Sequence, residues 1–443
     1  MLSPCAKRPI SCIAEILFLL AFSATARAHD PASQPSADTT IPASQPDGPH
    51  DLFGRPTLTD NWFGCGKVLD DTGLHIDGSL TQVYQQDMHG GLAAGRTDNV
   101  YAGRYEVDAL GDLYKLLGLS GARFMAQVRG GWKPGIDPES VGSLGGLGGV
   151  NNAAEERDIY LRQLAWEQDL ADKAIQIRIG KIDMTRCFQC CGCPVAFDGN
   201  SYANDETCQF LNGYLVNNPT IPFPQPGLGA QVHFQATDWW YLSGGVADAD
   251  AQAGSTGFES TFTGPADFFS IYETGITPHF ASPNGDLQGA YRAGFWYDPR
   301  AKERLDGDGV KRDDLGLYAS FDQAIWRVSE SKDDQRGLGV FGRYGLADGE
   351  VNNTRQFWST GLQYRGLLPG RTDDVTGFAV AQRLLSPEAD FTATNETVLE
   401  WYHNIQLTPW MHISPDVQYV FHPGGNAAVQ NAVVIGVRVQ MNF

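Results

Sequence analysis

The segment Ala432-Val-Val-Ile-Gly-Val-Arg-Val-Gln-Met-Asn-Phe443 ends the chain with a strict alternation of two kinds of side chain. Successive side chains of a β-strand point to opposite faces, so one face of this segment is apolar and the other is polar and partly charged. A strand that separates lipid from a water-filled lumen has this pattern. A half-buried strand of a soluble protein shows the same alternation, so the segment alone leaves both environments open. For a barrel, the alternation predicts that Val437, Val439, Met441 and Phe443 face lipid and that Arg438 and Gln440 face the lumen.

The amino terminus predicts export. Lys7 and Arg8 precede an apolar run at residues 16–22, and Ala26-Arg27-Ala28 has the small-x-small form of a cleavage site. We therefore predict a signal peptide at residues 1–28, with a cut near Ala26 as the alternative. Residues 29–52 are rich in Pro, Ser and Ala and cannot build a core, so they predict a disordered linker. No segment approaches the roughly 20 apolar residues of a membrane helix.

Sixteen candidate strands follow the linker, each near the roughly 9 to 11 residues that a tilted membrane strand needs. Long polar connections, such as 133–156 and 184–226, alternate with several short ones, such as 169–173 and 238–239. This asymmetry is typical of an outer-membrane barrel with both termini in the periplasm. We therefore predict an all-β fold over residues 53–443, a 16-stranded antiparallel transmembrane β-barrel. The predicted strands are 74–86, 99–112, 121–132, 157–168, 174–183, 227–237, 240–248, 267–280, 288–298, 314–325, 336–346, 356–367, 375–386, 396–407, 411–421 and 432–443.

Charged side chains of both signs recur on the face opposite the aliphatic residues. Tyr105 and Val107, for example, alternate with charged neighbours. Adjacent strands lie about 4.8 Å apart, so these side chains predict a mixed-charge ladder on the barrel wall. Cross-strand ion pairs that only stabilise the wall are the alternative. The predicted lumenal residues are Arg104, Glu106, Asp108, Arg123, Arg129, Arg178 and Glu400.

Six cysteines remain after the predicted signal peptide is removed. An even number in an exported protein favours disulfides, although their connectivity stays open. The segment Cys187-Phe-Gln-Cys-Cys-Gly-Cys193 could instead hold zinc or an iron–sulfur cluster, but no matching Cys or His pair follows it. We predict disulfides and no metal, with at least two cysteines joined within residues 184–226. The candidates are Cys65, Cys187, Cys190, Cys191, Cys193 and Cys208.

Composition and motifs argue against several classes of function. The formal net charge of −20 argues against nucleic acid or anionic phosphate surfaces as partners. The chain has no G-x-S-x-G and no H-E-x-x-H, so no catalytic residues are predicted. Glu155 and Glu156 are adjacent and predict a solvated loop better than a glycosidase pair.

Three segments resemble the carbohydrate-selective porins of the OprB family. Residues 58–74, with Trp62-Phe-Gly64 and Leu69-Asp-Asp-Thr-Gly73, are similar to the family's amino-terminal block, and residues 161–183 resemble its paired central strands. The closest resemblance is at residues 402–425, where a Thr-Pro-Trp turn, a Pro-Asp-x-Gln-Tyr strand and a Pro-Gly-Gly loop occur in the family's order. A closing strand that ends on an aromatic residue also resembles outer-membrane barrels. The Cys-rich insert and Cys65 depart from the family pattern.

The resemblance implies passive diffusion of mono- and oligosaccharides through an outer-membrane barrel, without cofactor and without catalysis. It implies outer-membrane lipid as surroundings and recognition by the barrel-assembly machinery through the strand ending at Phe443. Monomer and homotrimer stay open. A general porin or an anion- or phosphate-selective porin is the alternative, and a barrel enzyme or surface-binding protein would be a different class.

The longest internal connection, residues 184–226, predicts a loop that folds inward and narrows the pore. Loops of this length usually have a function, and disulfides would lower the entropy of such a constriction. An ordinary external loop is the alternative.

Overall fold

The computed structural model describes residues 51–93, 98–136, 140–143, 149–186, 197–254, 256–263, 266–331 and 334–443. The predicted signal peptide and nearly all of the predicted linker lie outside these residues. Four of the candidate cysteines, Cys187, Cys190, Cys191 and Cys193, also lie outside them. The predictions that concern these segments therefore stay predictions.

Sixteen antiparallel strands form one closed sheet. Each strand pairs with the next, and β1 also pairs with β16, from Ser79 opposite Asn442 to Gly91 opposite Gln430. A closed ladder leaves no open edge, which a bilayer requires of any spanning sheet. The predicted 16-stranded barrel is confirmed. The strands are β1 Leu74–Gly91, β2 Asp98–Asp112, β3 Ala122–Lys133, β4 Tyr160–Leu170, β5 Ile175–Ile182, β6 Gly227–Thr237, β7 Trp240–Asp248, β8 Phe268–Ile276, β9 Leu287–Asp298, β10 Asp314–Arg327, β11 Gly337–Leu346, β12 Thr354–Arg365, β13 Val375–Leu385, β14 Asn395–Thr408, β15 Met411–Phe421 and β16 Gln430–Asn442.

Short helices occupy the connections and the segment before β1. They are α1 Asp60–Phe63, α2 Cys65–Thr72, α3 Leu113–Leu117, α4 Gly213–Val216 and α5 Glu259–Phe262, with a 3₁₀ turn at Pro423–Gly425. None of the helices in the described part of the chain combines the length and the apolar character of a bilayer-crossing segment.

The alternation of the last strand follows its predicted register. Val437 is 42% exposed on the outer face, whereas Arg438 and Gln440 are 1% and 6% exposed on the inner face. The same holds for β2, where Tyr105 and Val107 are exposed on the outer face.

Two details of the strands differ from the predictions. The predicted strand 267–280 stops at Ile276, because Pro278 lacks the N–H that a ladder needs. A two-residue strand, His279–Phe280, then pairs with Leu287 and Gln288. The connection after β9 also holds a small hairpin of Lys302–Glu303 and Val310–Lys311, which alternation over so few residues cannot reveal.

Part of the barrel interior is an apolar core. One buried cluster joins Val150 and Phe210, from the two long loops after β3 and β5, to inward side chains of β11–β16 such as Phe357 and Val434. A second cluster joins Phe197 of the loop after β5 to Trp296 and neighbouring residues of β8–β10. In the described parts of this loop, residues 183–186 and 197–226, side chains such as Phe197 and Phe210 thus pack against the inner face of the wall. In the sequence, Val434 falls on the polar face of the last strand although it is apolar. In the structure, it points inward and packs beneath the loop after β5.

Candidate functional site

The inner faces of β2–β4 carry a dense set of charges. Glu106 of β2 accepts hydrogen bonds from the guanidinium of Arg129 on β3 and pairs with Arg104 at 3.6 Å. Arg162 of β4 donates from Nε to Oδ2 of Asp183, which follows β5, at 2.8 Å. Because the strands are adjacent, these pairs form one network along a single side of the lumen.

The loops add further charges to this network. Arg186 of the loop after β5 donates from Nη2 to Oε1 of Glu106 at 3.1 Å, and Glu206 of the same loop pairs with Arg104. In the loop before β4, Glu155 accepts the Tyr160 hydroxyl hydrogen bond at 2.9 Å.

Exposure separates the charges that water reaches from those that it does not. The side chains of Arg157, Arg186, Glu155, Arg162 and Glu206 are 33%, 28%, 17%, 16% and 15% exposed. We call these five residues the charged corridor. By contrast, Arg104, Glu106 and Arg129 are at most 7% exposed. They support the corridor residues through the ion pairs described above.

The electrostatics of the corridor are close to balanced. Burial by itself would raise the pKa of Asp183, but Arg162 and Arg186 outweigh it and hold that pKa below its ordinary value. Asp183 is therefore ionised at neutral pH and neutralises part of the arginine charge. Together with its supporting residues, the corridor places five arginines against four carboxylates on a chain whose formal charge is −20.

Not all of the predicted lumenal residues meet at this site. Arg104, Glu106 and Arg129 do, and Asp108 lies beside them, accepting from Gln127 Nε2 at 2.6 Å. The other three lie elsewhere. Arg123 donates to both carboxylate oxygens of Asp169 at 2.7 and 2.9 Å, Arg178 is fully buried against Glu167, and Glu400 lies beneath the loop after β5.

Arg162 was not among the predicted lumenal residues, and its placement has a structural cause. Strict alternation puts it on the same face as Leu164 and Trp166, which are exposed on the outer face. A β-bulge opposite Gln127 and Val128 inserts one extra residue in β4 and turns Arg162 inward. Bulges re-aim side chains in this way, and a sequence alternation carries no direct signal for them.

The remaining corridor residues, Glu155, Arg157, Arg186 and Glu206, lie in long loops. Alternation identifies strands and says nothing about the direction in which a loop folds. For Arg186 and Glu206, the available signal in the sequence was the length of the connection at residues 184–226, which predicted an inward loop.

The two described candidate cysteines carry free thiols. Cys65 is exposed on α2. Cys208 lies inside the lumen, where burial and then the neighbouring Asp205 raise the pKa of its thiol, and its Sγ donates to Oδ2 of Asp205 at 2.6 Å. Disulfides among the other four cysteines stay a prediction. Within the described residues, no group of three or more His, Cys, Asp or Glu side chains is arranged to hold a metal ion.

A closed 16-stranded barrel with an inward loop and a charged inner wall is the architecture of a porin. The sequence profile of the "Carbohydrate-selective porin, OprB family" matches residues 96–443, and the chain belongs to this family. It is thus a carbohydrate porin of the Gram-negative type of outer membrane.

Individual relatives agree with this assignment. Porin B of Pseudomonas aeruginosa is 24% identical over 424 residues, which cover 87% of this chain and 91% of Porin B. Porin AaxA of Chlamydia muridarum is 24% identical over 296 residues, and the match spans 66% of this chain but 58% of AaxA. The high-pH structure of Pseudomonas putida OprB superposes with a TM-score of 0.75 at 21% identity, covering 89% of this chain and 100% of that chain. At this low sequence identity, the superposition is evidence for the fold alone.

Proposed function

We propose that neutral mono- and oligosaccharides diffuse passively through this porin along the charged corridor. The observation that carries the proposal is the near balance of water-exposed arginines and carboxylates there, on a strongly acidic chain. Export through the signal peptide and recognition of the strand ending at Phe443 by the assembly machinery belong to the same proposal.

The chemistry of a sugar fits such a surface. Each hydroxyl donates and accepts hydrogen bonds, and the corridor offers guanidinium donors beside carboxylate acceptors. Each arginine of the corridor already has a carboxylate partner, for example Arg162 with Asp183 and Arg186 with Glu106. A passing sugar therefore exchanges one set of hydrogen bonds for another, which keeps binding weak and allows flux.

The tyrosine beside the corridor supports the same function. Tyr160 lies with its ring 5.0 Å from the guanidinium carbon of Arg157, and Arg162 Nη1 donates to its hydroxyl at 3.3 Å. An aromatic ring next to polar groups suits a solute whose faces carry C–H groups and whose edges carry hydroxyls.

The test compares sugar flux with ion selectivity in the purified full-length porin. Liposomes that contain it should swell with mono- and oligosaccharides at rates that fall with solute size, and sugars should block its ion current in planar bilayers. Reversal potentials in a salt gradient address the alternative. A strong anion preference without any effect of sugars would show a general or anion-selective porin and overturn the proposal.

A further inference from the structure

We infer that Glu400 is a positioning residue, which fixes the inward loop to β14, four strands round the barrel from β2 of the charged site, and thereby sets the width of the passage. The inference rests on the proposed function as a channel, and it adds a residue that acts on the passage without touching solute.

Glu400 lies on the inner face of β14 and is fully buried. Its two carboxylate oxygens accept from two consecutive backbone amides of the loop, those of Leu211 at 2.5 Å and Asn212 at 2.9 Å. Among the described residues, no Arg or Lys forms an ion pair with Glu400. The Glu400 carboxyl group also shares a hydrogen bond with the Asp416 carboxyl group on β15, and its remaining acceptor capacity is directed at the loop backbone.

The residues that follow extend this attachment. The side chain of Asn212 donates from Nδ2 to Oε1 of Gln418 at 2.9 Å and accepts from the backbone amide of Tyr214, which caps α4. The Tyr214 hydroxyl accepts from Arg383 at 2.8 Å and donates to Glu396 at 3.2 Å. Helix α4 is thus attached to the wall through Asn212 at its start and through the side chain of Tyr214. Glu400 binds the two residues of the loop that lead into this helix.

The attachment acts on the corridor through Arg186 and Glu206, the two corridor residues that belong to the same loop. Glu206, which pairs with Arg104, precedes Leu211 by only a few residues, and its carbonyl accepts from Arg438 Nη1 at 2.7 Å. If the amides of Leu211 and Asn212 come free of Glu400, the segment that carries Glu206 loses two of its hydrogen bonds to β14 and keeps the one that Asn404 Nδ2 donates to the Cys208 carbonyl at 3.1 Å. The passage then widens and fluctuates.

The experiment uses E400Q with E167Q as the matched control. Glu167 is also a buried carboxylate of the barrel wall, at 1% exposure, but its partners are Arg178 at 2.5 Å and Arg123 at 3.4 Å, both on neighbouring strands. Gln at position 400 keeps one carbonyl acceptor and turns an NH₂ group toward an amide donor. The variant E400D keeps both acceptors on a shorter side chain and should restore part of the wild-type behaviour.

Two readouts are measured in the full-length porin. Hydrogen exchange of the peptide containing Leu211 and Asn212 should become about tenfold faster in E400Q, because a buried amide that faces an NH₂ group loses its acceptor. In planar bilayers, E400Q should spend a correspondingly larger fraction of time in a higher-conductance, noisier state. E167Q should change neither of these, even if it lowers heat stability.

Unchanged exchange at Leu211 and Asn212 in E400Q would overturn the inference, as would equal acceleration in E167Q. Faster exchange with unaltered conductance and noise would also overturn it, because the attachment would then not set the passage. These outcomes are separate from the proposed function: a wild-type porin that conducts ions but ignores sugars refutes sugar passage and leaves the role of Glu400 testable by both readouts.

Discussion

Arg178 and Arg186 show that two arginines of one barrel can serve different purposes. Arg178 is fully buried and donates to Glu167 from Nε at 2.6 Å. Arg186 is 28% exposed and reaches Glu106 across the edge of the corridor. We therefore assign the first to stabilising the wall and propose that the second contacts solute.

Their substitution should therefore give opposite results. R178Q leaves Glu167 without its closest cation in a buried site, so we expect a loss of about 3–5 kcal/mol in the free energy of unfolding, measured by denaturant titration in detergent micelles, with sugar block of the current unchanged. R186Q should alter sugar block and leave the unfolding transition nearly in place. The reverse pattern would contradict the assignment of both residues.

The two described cysteines should differ in reactivity. Cys65 is exposed, whereas the pKa of Cys208 is raised by burial and by Asp205, and the thiolate is the reactive form. We expect a maleimide to modify Cys65 in the folded porin within minutes and Cys208 only after unfolding, as read from peptide masses. Rapid native labelling of Cys208, or its recovery in a disulfide-linked peptide, would show a different state of the loop.

At the scale of the element, the strands could be predicted from the sequence and the site only in part. Each strand has its own alternation, which a local pattern records, so the strand ends lie within about five residues of the prediction; the largest differences are β1, which continues to Gly91, and β8, which ends at Ile276. The corridor depends on a bulge at Arg162 and on inward loops, which are decided by contacts between distant residues. Glu400 illustrates the limit: its lumenal face was predictable, but its partner, the backbone of Leu211 and Asn212, was not.

The loop after β5 has a second point of attachment with a distinct pH dependence. The backbone amide of Asp198 donates to Glu273 at 2.7 Å, and its carboxylate lies 3.4 Å from Arg343 Nε. Burial raises the pKa of Asp198 to about 6, although Arg343 opposes the shift. The neutral carboxyl is favoured in the attached loop, so this contribution to attachment is fully present below the ordinary aspartate pKa of about 4 and is lost as pH rises through 6.

Hydrogen exchange around residue 198 should reveal this dependence. After correction for intrinsic chemistry, protection should be higher at pH 4.5 than at pH 7.5 in the wild type. D198N, whose side chain is neutral at both values, should show a smaller difference. An equal or larger difference in D198N would assign the pH effect to another group, such as Glu273.

For the whole molecule, closure of the barrel is reinforced by the segment that precedes β1. The Leu58 amide donates to the Asn442 carbonyl at 2.8 Å, Trp410 Nε1 donates to the Leu52 carbonyl at 2.8 Å, and Trp62 Nε1 donates to the Ile76 carbonyl at 2.7 Å. The segment thus ties β1 to β16 and to the turn before β15, at the seam where the first and last strands meet.

Deletion of residues 51–73 should weaken that seam. We expect the deleted porin to unfold at a lower temperature than the wild type, visible as an earlier shift between the folded and unfolded bands when samples are heated before electrophoresis. Deletion of residues 29–50, the predicted linker, is the matched control and should leave the transition temperature unchanged. Equal transition temperatures for both deletions would mean that strand pairing alone holds the seam.

The attachment of the loop also sets an order of events during assembly. Leu211 and Glu400 are 189 residues apart in the chain, and Glu206 and Arg438 are 232 apart. Contacts of such separation form late, since the intervening chain must first be ordered. A porin halted before β14 is inserted lacks Glu400 and Arg438, so Glu206, Leu211 and Asn212 lack these partners on the wall. On the inferred role of Glu400, the passage acquires its final width in the last steps of folding, and we expect a stalled intermediate to conduct more than the finished porin.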